Sequence, residues 1–349
     1  MPHSFPSLLR RPWALPGAVR THHSSLAAGL LVAVGLLAPS GSAAQVAHLG
    51  ILEERLQTEL EAVVHRFDGV AGIHVVDLTD GRRFDVRGDL VFPQASAIKI
   101  TILLELFRRA ETDPGILRKR VELTDAVRTG GSGVLNILTD GGSALSLEDH
   151  AIYMIVYSDN TSTNILLDEL GMAEINALAA SLGAPQTIFQ RRMIQPQASA
   201  RGDENLSTPR EAAHIMEQIA ACDLPMSADA CARVTEILAL PKGGPVRTPV
   251  PASIPIAFKP GGITGVATVW AVVQLPGRPY VLSVMANYGG DVGSVVREAS
   301  EAAYTYFSRL AGATPHGTRV PLELLPYSSP QPSPRPSPQP SPPPSPPNG

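Results

Sequence analysis

Residues 92–109, FPQASAIKITILLELFRR, set a serine and a lysine three apart, Ser96 and Lys99, at the head of a largely apolar run. Ile98, Ile100, Ile102, Leu103, Leu104, Leu106 and Phe107 leave so little polar face that the pattern predicts a buried helix. Burying an ammonium is costly, so packing gives no reason for Lys99, whereas chemistry does. Residues three apart share a helix face, and a serine oxygen at a helix N-terminus sits in the positive end of the backbone dipole. A lysine kept partly neutral by burial or by a nearby cation can take the serine's proton. Ser96 and Lys99 therefore have the makings of a nucleophile and its base.

Two further stretches can join them. In YSDNTSTN (157–164), a Ser-Asp-Asn turn could simply cap a helix, but Ser158 also offers a second hydroxyl to relay a proton to a leaving group. Asn160 would then present its amide to the substrate. In FKPGGITG (258–265), Lys259 enters on a strand and could face a substrate carboxylate, its charge lowering the pKa of Lys99. The chain has four lysines (Lys99, Lys119, Lys242, Lys259) against 24 arginines, so each lysine asks for a reason that arginine would not meet.

These residues need a frame. The 349 residues, 44% hydrophobic and 17% charged with net charge −4, are globular material for one large or two modest domains. The basic residues are scattered, which argues against nucleic acid as a partner. No Cys/His cluster has metal-ligand spacing, so neither a metal nor another cofactor is expected. Leu49, Leu52, Leu56, Leu60 and Val63 recur at helical spacing between Gln45 and Arg66. A hairpin follows in AGIHVVDLTDGRRFDVRG. Residues 96–240 read as helices without a strand. Strands return at 265–275 and 278–288, and a last helix runs from about 293 to 310. The expected fold is α+β: an antiparallel sheet flanked by the N- and C-terminal helices, with an all-helical subdomain inserted. The sheet subdomain would comprise 45–95 and 251–313, and the helical one 96–250. From 314 to 349 the chain is a tail, Pro/Ser-rich from Tyr327, fit for a spacer or stalk rather than a core.

Residues 1–44 read as a signal peptide. Arg10, Arg11 and Arg20 precede an apolar run from Ser25 to Ala38, and the small residues Ser42 and Ala44 suit cleavage after Ala44. An uncleaved anchor is the alternative. Export would make the mature chain secreted or periplasmic, with no stable membrane span. It would also favour a disulfide between Cys222 and Cys231, two reduced core thiols being the other possibility.

In this order, FPQASAIK, SDNTSTN and the lysine-glycine strand resemble the penicillin-recognising serine hydrolases, specifically the class A β-lactamases and their related serine hydrolases. GGSGVL (130–135) and ENLSTP (204–209) are similar to loops of that family, and the resemblance spans about Gln45 to Ala313. It implies a serine β-lactamase/transpeptidase-like fold and acyl transfer: Ser96 attacks a β-lactam carbonyl, and water hydrolyses the acyl-enzyme. It also implies an oxyanion hole from the Ser96 and Gly262 backbone N–H groups, a contribution often worth ~3 kcal/mol. Lys259, Gly261 and Gly262 would bind substrate, and Asn164 would steady the loop upstream of Thr208-Pro209. The implied partner is a small β-lactam or a peptidoglycan-derived molecule, met by a monomer.

Two positions depart from the family pattern. Lys259-Pro260-Gly261 replaces Lys-Thr/Ser-Gly, which removes a hydroxyl and a backbone N–H. The deacylating glutamate of the Arg-x-Glu-x-x-Leu-Asn loop is missing: Met193 or Ile194 stands two residues after Arg191 or Arg192. The next carboxylates are Asp203 and Glu204, which makes Glu204 the candidate to fold back as the deacylating acid. Alternatives on the same machinery are a D-Ala-D-Ala carboxypeptidase or other amidase or esterase on cell-wall substrates, and a slowly acylated penicillin-binding or sensing module. The base assignment predicts that Lys99→Arg, which keeps the charge but cannot deprotonate, abolishes acylation of Ser96. Intact mass after mixing with benzylpenicillin checks this, and a normal adduct would refute it.

Overall fold

The computed structural model describes residues 42–138, 142–314, 316–319 and 321. The expected signal segment lies outside them as far as residue 41, and so does the expected tail at 315, at 320 and from 322 on. In chain order the elements are α1 (Ser42–Arg66), β1 (Val70–Asp77), β2 (Arg83–Val86), β3 (Phe92–Pro93) and α2 (Lys99–Ala110). Then come β4 (Arg120–Glu122), β5 (Ala144–Ser146), α3 (Leu147–Val156), α4 (Asn160–Leu170) and α5 (Met172–Ser181). They are followed by α6 (Pro196–Ala200), β6 (Leu206–Ser207), α7 (Pro209–Ala221) and α8 (Ala228–Ala239). The chain closes with β7 (Ile256–Ile263), β8 (Val266–Val273), β9 (Tyr280–Asn287) and α9 (Val292–Leu310).

Five strands form an antiparallel sheet in the order β2-β1-β9-β8-β7. Every residue of β8 is buried, as a central strand covered on both faces requires. Its side chains alternate with period two. Val269, Ala271 and Val273 join the core under α1 and α9, with Leu56, Leu60, Ala299 and Phe307. Trp270 and Val272 join the second core, with α2, α4 and α7. The terminal helices thus cover one face and the helical region the other, in the α+β arrangement that the sequence predicts. A disulfide links Cys222, just past α7, to Cys231 in α8, with Cα atoms 5.8 Å apart.

One expectation is corrected. The stretch read as strand-free contains β4 paired with β5, and β6 paired with β3. Elements of two or three residues are too short to carry a period-two signal; long-range pairing creates them.

The sheet also holds the turn that carries Ser96. Thr268 Oγ1 donates to the Gln94 carbonyl (2.8 Å), and Trp270 Nε1 donates to Gln94 Oε1 (2.9 Å). Gln94 Nε2 donates to the Phe92 carbonyl at 2.9 Å. The backbone approach is close enough to require glycine in β7. A Cβ on Gly261 would lie 2.4 Å from Thr268 Oγ1, 2.5 Å from the Gln94 carbonyl oxygen and 2.7 Å from Ala97 N. Gly261→Ala is therefore expected to cost roughly 2 kcal/mol through overpacking and lower Tm by about 5 °C. Thermal melts beside the parent chain check this.

Candidate active site

Ser96 lies in the turn just ahead of α2, and its carbonyl accepts from Lys99 N at 3.3 Å. Lys99 opens the helix with its side chain fully buried. Its Nζ donates to the Ser158 carbonyl (2.8 Å) and to Asn160 Oδ1 (3.0 Å), and lies 3.3 Å from Ser158 Oγ. Asp159 fixes that turn. Its buried carboxylate caps α4 by accepting from Ser162 N (2.8 Å), and also accepts from Val134 N (2.7 Å) and Leu135 N (2.9 Å). Asn160 adds N–H to the Ser132 carbonyl (3.0 Å) and Nδ2 to the Gly130 carbonyl (3.1 Å). The 130–135 loop and the Ser-Asp-Asn turn are thereby one unit.

Burial holds the Lys99 amine down to about pKa 7, against the opposing pull of Asp159. Lys259 is also buried, and its Nζ donates to the Pro260 carbonyl at 2.8 Å. Its pKa is pushed well below the ordinary lysine value by burial and then by the charges of Lys99 and Lys242. Burial, one of the two causes the sequence allows, is thus the leading cause at Lys99, and Lys259 is not among the causes acting there. Lys242 is a third amine lowered to about 7 by burial. It donates to the Leu238 and Leu240 carbonyls (2.6 and 2.9 Å) and sits 4.6 Å from the Phe258 ring centroid.

Ser96 lies where two cavities meet. One, of 390 Å³, is lined by Gly131, Ser132, Asn160, Met193 and Ile194 among others. The other, of 560 Å³, is lined by Ser158, Lys242, Lys259, Pro260 and Gly261 among others. Gly262 borders both, and among the described residues no carboxylate lines either. Among the described residues, neither the N–H nor the Oγ of Ser96 has a hydrogen-bond partner. A larger groove of 890 Å³ between α1 and α9 holds mixed charges and no nucleophile–base pair.

Ser96, Lys99, Ser158, Asn160, Lys259, Gly261 and Gly262 therefore come together. Glu204 does not join them. Its carboxylate accepts from Arg191 Nη2 at 2.7 Å and from the Ser199 hydroxyl, and it lines neither cavity. A guanidinium within reach captures it before the nucleophile can. Asn164 instead grips Met193, accepting from its N–H at Oδ1 (2.9 Å) and donating to its carbonyl at 3.3 Å. Met193 follows the paired Arg191 by two residues, the spacing at which the resemblance leads one to expect the glutamate. Sequence reasoning gave no role to Lys242, whose signal was the scarcity of lysine, and did not place Ile194 or Ser132 beside the nucleophile.

A serine three residues before a buried lysine whose pKa is lowered to about 7, on a turn docked against an antiparallel sheet, has the residue types that serine acyl transfer needs. A model of the β-lactamase enzyme family matches residues 55–307, and the chain belongs to that family. It is 26% identical to a β-lactamase of Citrobacter koseri over 155 residues, 44% of this chain and 52% of that one, so the aligned stretch spans about half of that relative. A β-lactamase structure from Sphaerobacter thermophilus superposes with a TM-score of 0.65 at 27% identity, covering 73% of this chain and 97% of that one. A point mutant of PBP-A, solved as an acyl-enzyme complex with penicillin G, gives a TM-score of 0.67 at 27% identity, over 73% and 97% of the two chains.

A lysine base works only as the free amine, the form present above its pKa. The second-order rate of Ser96 acylation should therefore rise with pH through about 7 and then level. Rates measured from about pH 5.5 to about pH 8.5, bracketing that titration, check this; a flat profile would contradict it.

Proposed function

We propose that this chain is a serine hydrolase of class A β-lactamase type that opens β-lactam rings through a Ser96 acyl-enzyme and releases the product slowly. Ser96 Oγ bonds to the lactam carbonyl carbon while its proton passes to the neutral Lys99 amine. The ring C–N bond then breaks, and the ring nitrogen takes a proton through the Ser158 hydroxyl. The Ser96 and Gly262 N–H groups stabilise the oxyanion, and Lys259 receives the substrate carboxylate. Water must then cleave the ester to regenerate Ser96.

The observation that carries the slow step is the lining of the cleft. Lysine amines and serine hydroxyls surround the reaction centre, but among the described residues no carboxylate borders it. Met193, a thioether residue, follows Arg191 by two in the sequence, where the family pattern has its glutamate, and Glu204 is paired with Arg191. The acyl-enzyme captured in the structurally similar PBP-A mutant supports the same chemistry. Export belongs to this reading, supported by the apolar run from Ser25 to Ala38 and by the disulfide. Among the described residues no helix is long and apolar enough to cross a membrane.

Intact mass after mixing with excess benzylpenicillin tests the proposal. The expected result is an adduct of the whole penicillin, absent in Ser96→Ala, that persists for hours once free drug is removed. Met193→Glu should shorten its lifetime by roughly a hundredfold, the low end of what a positioned general base contributes. Rapid clearance from the parent chain would refute slow release, and no adduct at all would refute acyl transfer.

A further inference from the structure

Glu204 does not reach the cleft, but a hydroxyl that it holds does. Ser199 borders the 390 Å³ cavity that Ser96 also lines, whereas Glu204 borders neither cavity. The Ser199 hydroxyl donates to Glu204 Oε1, and Arg191 Nη2 donates to Glu204 Oε2 at 2.7 Å. Both charged side chains are largely buried, 12% exposed at Arg191 and 20% at Glu204. The backbone of Ser199 is fixed as well: its N–H donates to the Gln195 carbonyl at 3.1 Å, and its carbonyl accepts from Gly202 N at 2.9 Å. Hydroxyl, carboxylate and guanidinium form a row that starts at the cavity and ends inside the loop.

That row has a direction. An ion-paired carboxylate can only accept, so the Ser199 hydrogen points at Glu204 and the oxygen keeps its lone pairs for a donor in the cavity. Ser158, the hydroxyl on the other side of the nucleophile, lies against the Lys99 amine instead. The row is also stiffly mounted. Arg191 Nη1 donates to the Arg192 carbonyl at 3.1 Å. In the turn ahead of α6, Asn164 clamps Met193, and Gln195 Oε1 accepts from Arg192 N at 3.0 Å. Ile194, between those two clamps, lies at φ 58°, a conformation that a β-branched residue keeps only where its surroundings over-determine it. A hydroxyl, a carboxylate within hydrogen-bond reach and a third group orienting the carboxylate are the parts from which activated oxygen is made. A clip that only closed the loop could face solvent; this one faces the cavity of the nucleophile.

We propose that Ser199 activates the water that releases the acyl group from Ser96, passing the proton on to Glu204. This rests on the acyl-transfer reading above. The water donates a hydrogen bond to Ser199 Oγ, and its oxygen attacks the carbonyl carbon of the ester. Its proton passes to Ser199 Oγ as the Ser199 proton passes to Glu204 Oε1. The tetrahedral intermediate then collapses: the bond from the carbonyl carbon to Ser96 Oγ breaks, and the proton on Glu204 passes back by way of Ser199 to Ser96 Oγ. The product leaves as the acid, and Ser96 is regenerated. This route needs two proton transfers where a carboxylate in the cavity would need one. Protonating Glu204 also weakens its charge-assisted bond with Arg191. Both features make release slow without abolishing it.

The test uses the full chain, benzylpenicillin and intact mass. The Ser96 adduct is formed, free drug is removed, and decay is followed in the parent, Ser199→Ala, Ser199→Thr and Glu204→Gln. Ser199→Ala should lengthen the adduct's lifetime roughly tenfold, less than a base in direct contact would supply, without slowing adduct formation. Ser199→Thr, which keeps the hydroxyl, should decay near the parent rate, and Glu204→Gln should behave like Ser199→Ala. Added hydroxylamine attacks the ester with a lone pair that no base has to uncover. It should therefore clear the adduct equally fast from the parent and from Ser199→Ala, whereas a displaced loop would change that rate too. Equal lifetimes in water for the parent and Ser199→Ala, or for the parent and Glu204→Gln, would overturn the relay. So would a change in Ser199→Ala that hydroxylamine reproduces. Absence of any Ser96 adduct would overturn the acyl-transfer reading, and the relay with it.

Discussion

The site depends on what the buried amine of Lys99, its pKa lowered to about 7, meets when it is in its neutral form. In the dry interior the charged form of Lys99 is penalised, and a neutral amine has two donors and one lone pair. The Ser158 carbonyl and Asn160 Oδ1, at 2.8 and 3.0 Å, are both acceptors only, so they absorb the two hydrogens and leave the lone pair for a proton. Arginine offers no equivalent, since its guanidinium stays charged. Much of the surrounding architecture keeps those two acceptors in place. Asp159 accepts three backbone N–H groups from two segments, and Asn160 is tied at N–H and Nδ2 to the 130–135 loop.

The nucleophile has its own constraint, the sheet. Ser96 is presented by a turn whose Gln94 is held by Thr268 and Trp270 on β8 and whose backbone meets Gly261 on β7. Pro260 can stand beside that contact because β7 is the outer strand, where a missing N–H takes least from the ladder. The substitution leaves a wall of hydrocarbon where a hydroxyl would be, beside two lysines on the same cavity. Lys242 is tied to the last carbonyls of α8 and Lys259 to its own neighbour. Neither has a carboxylate partner among the described residues, so an incoming anion would be their first opposite charge.

What the sequence showed and hid divides along physical lines. Ser96 with Lys99, and Ser158 with Asn160, are pairings of residue types over one helical turn or less, which a sequence displays directly. The bonds of Lys99 Nζ to Ser158 and Asn160, 59 and 61 residues away, are instead made by packing. Legible too were α1, the β1–β2 hairpin and the strands β8 and β9, whose apolar periodicity is strong. Glu204 was misplaced because its partner was decided by a loop closure over 13 residues, in which Arg191 competed with the nucleophile. Lys242 was passed over because its nearness to Lys259 arises from packing of α8 against β7. The left-handed backbone of Ile194 is a product of two clamps on its neighbours, and no residue pattern announces it.

The loop from 190 to 205 shows that a frame and the chemistry it carries are separable. Its frame is complete: the charge-assisted bond of Arg191 to Glu204, the two-point grip of Asn164 on Met193, and Asn205 Oδ1 accepting from both Gln190 N and Arg191 N at 2.9 and 3.1 Å. Such a frame is stiff, because each bond fixes a backbone group or ties down a charge. Stiffness is not needed to hold a thioether, which adapts to almost any pocket. It is needed to keep an isoleucine in a left-handed conformation at the lip of the cleft. The loop therefore presents a mixed surface to the cleft beside Ser96, Met193, Ile194 and Pro196 interleaved with Arg191, Gln195 and Ser199, and among the described residues it brings no carboxylate there.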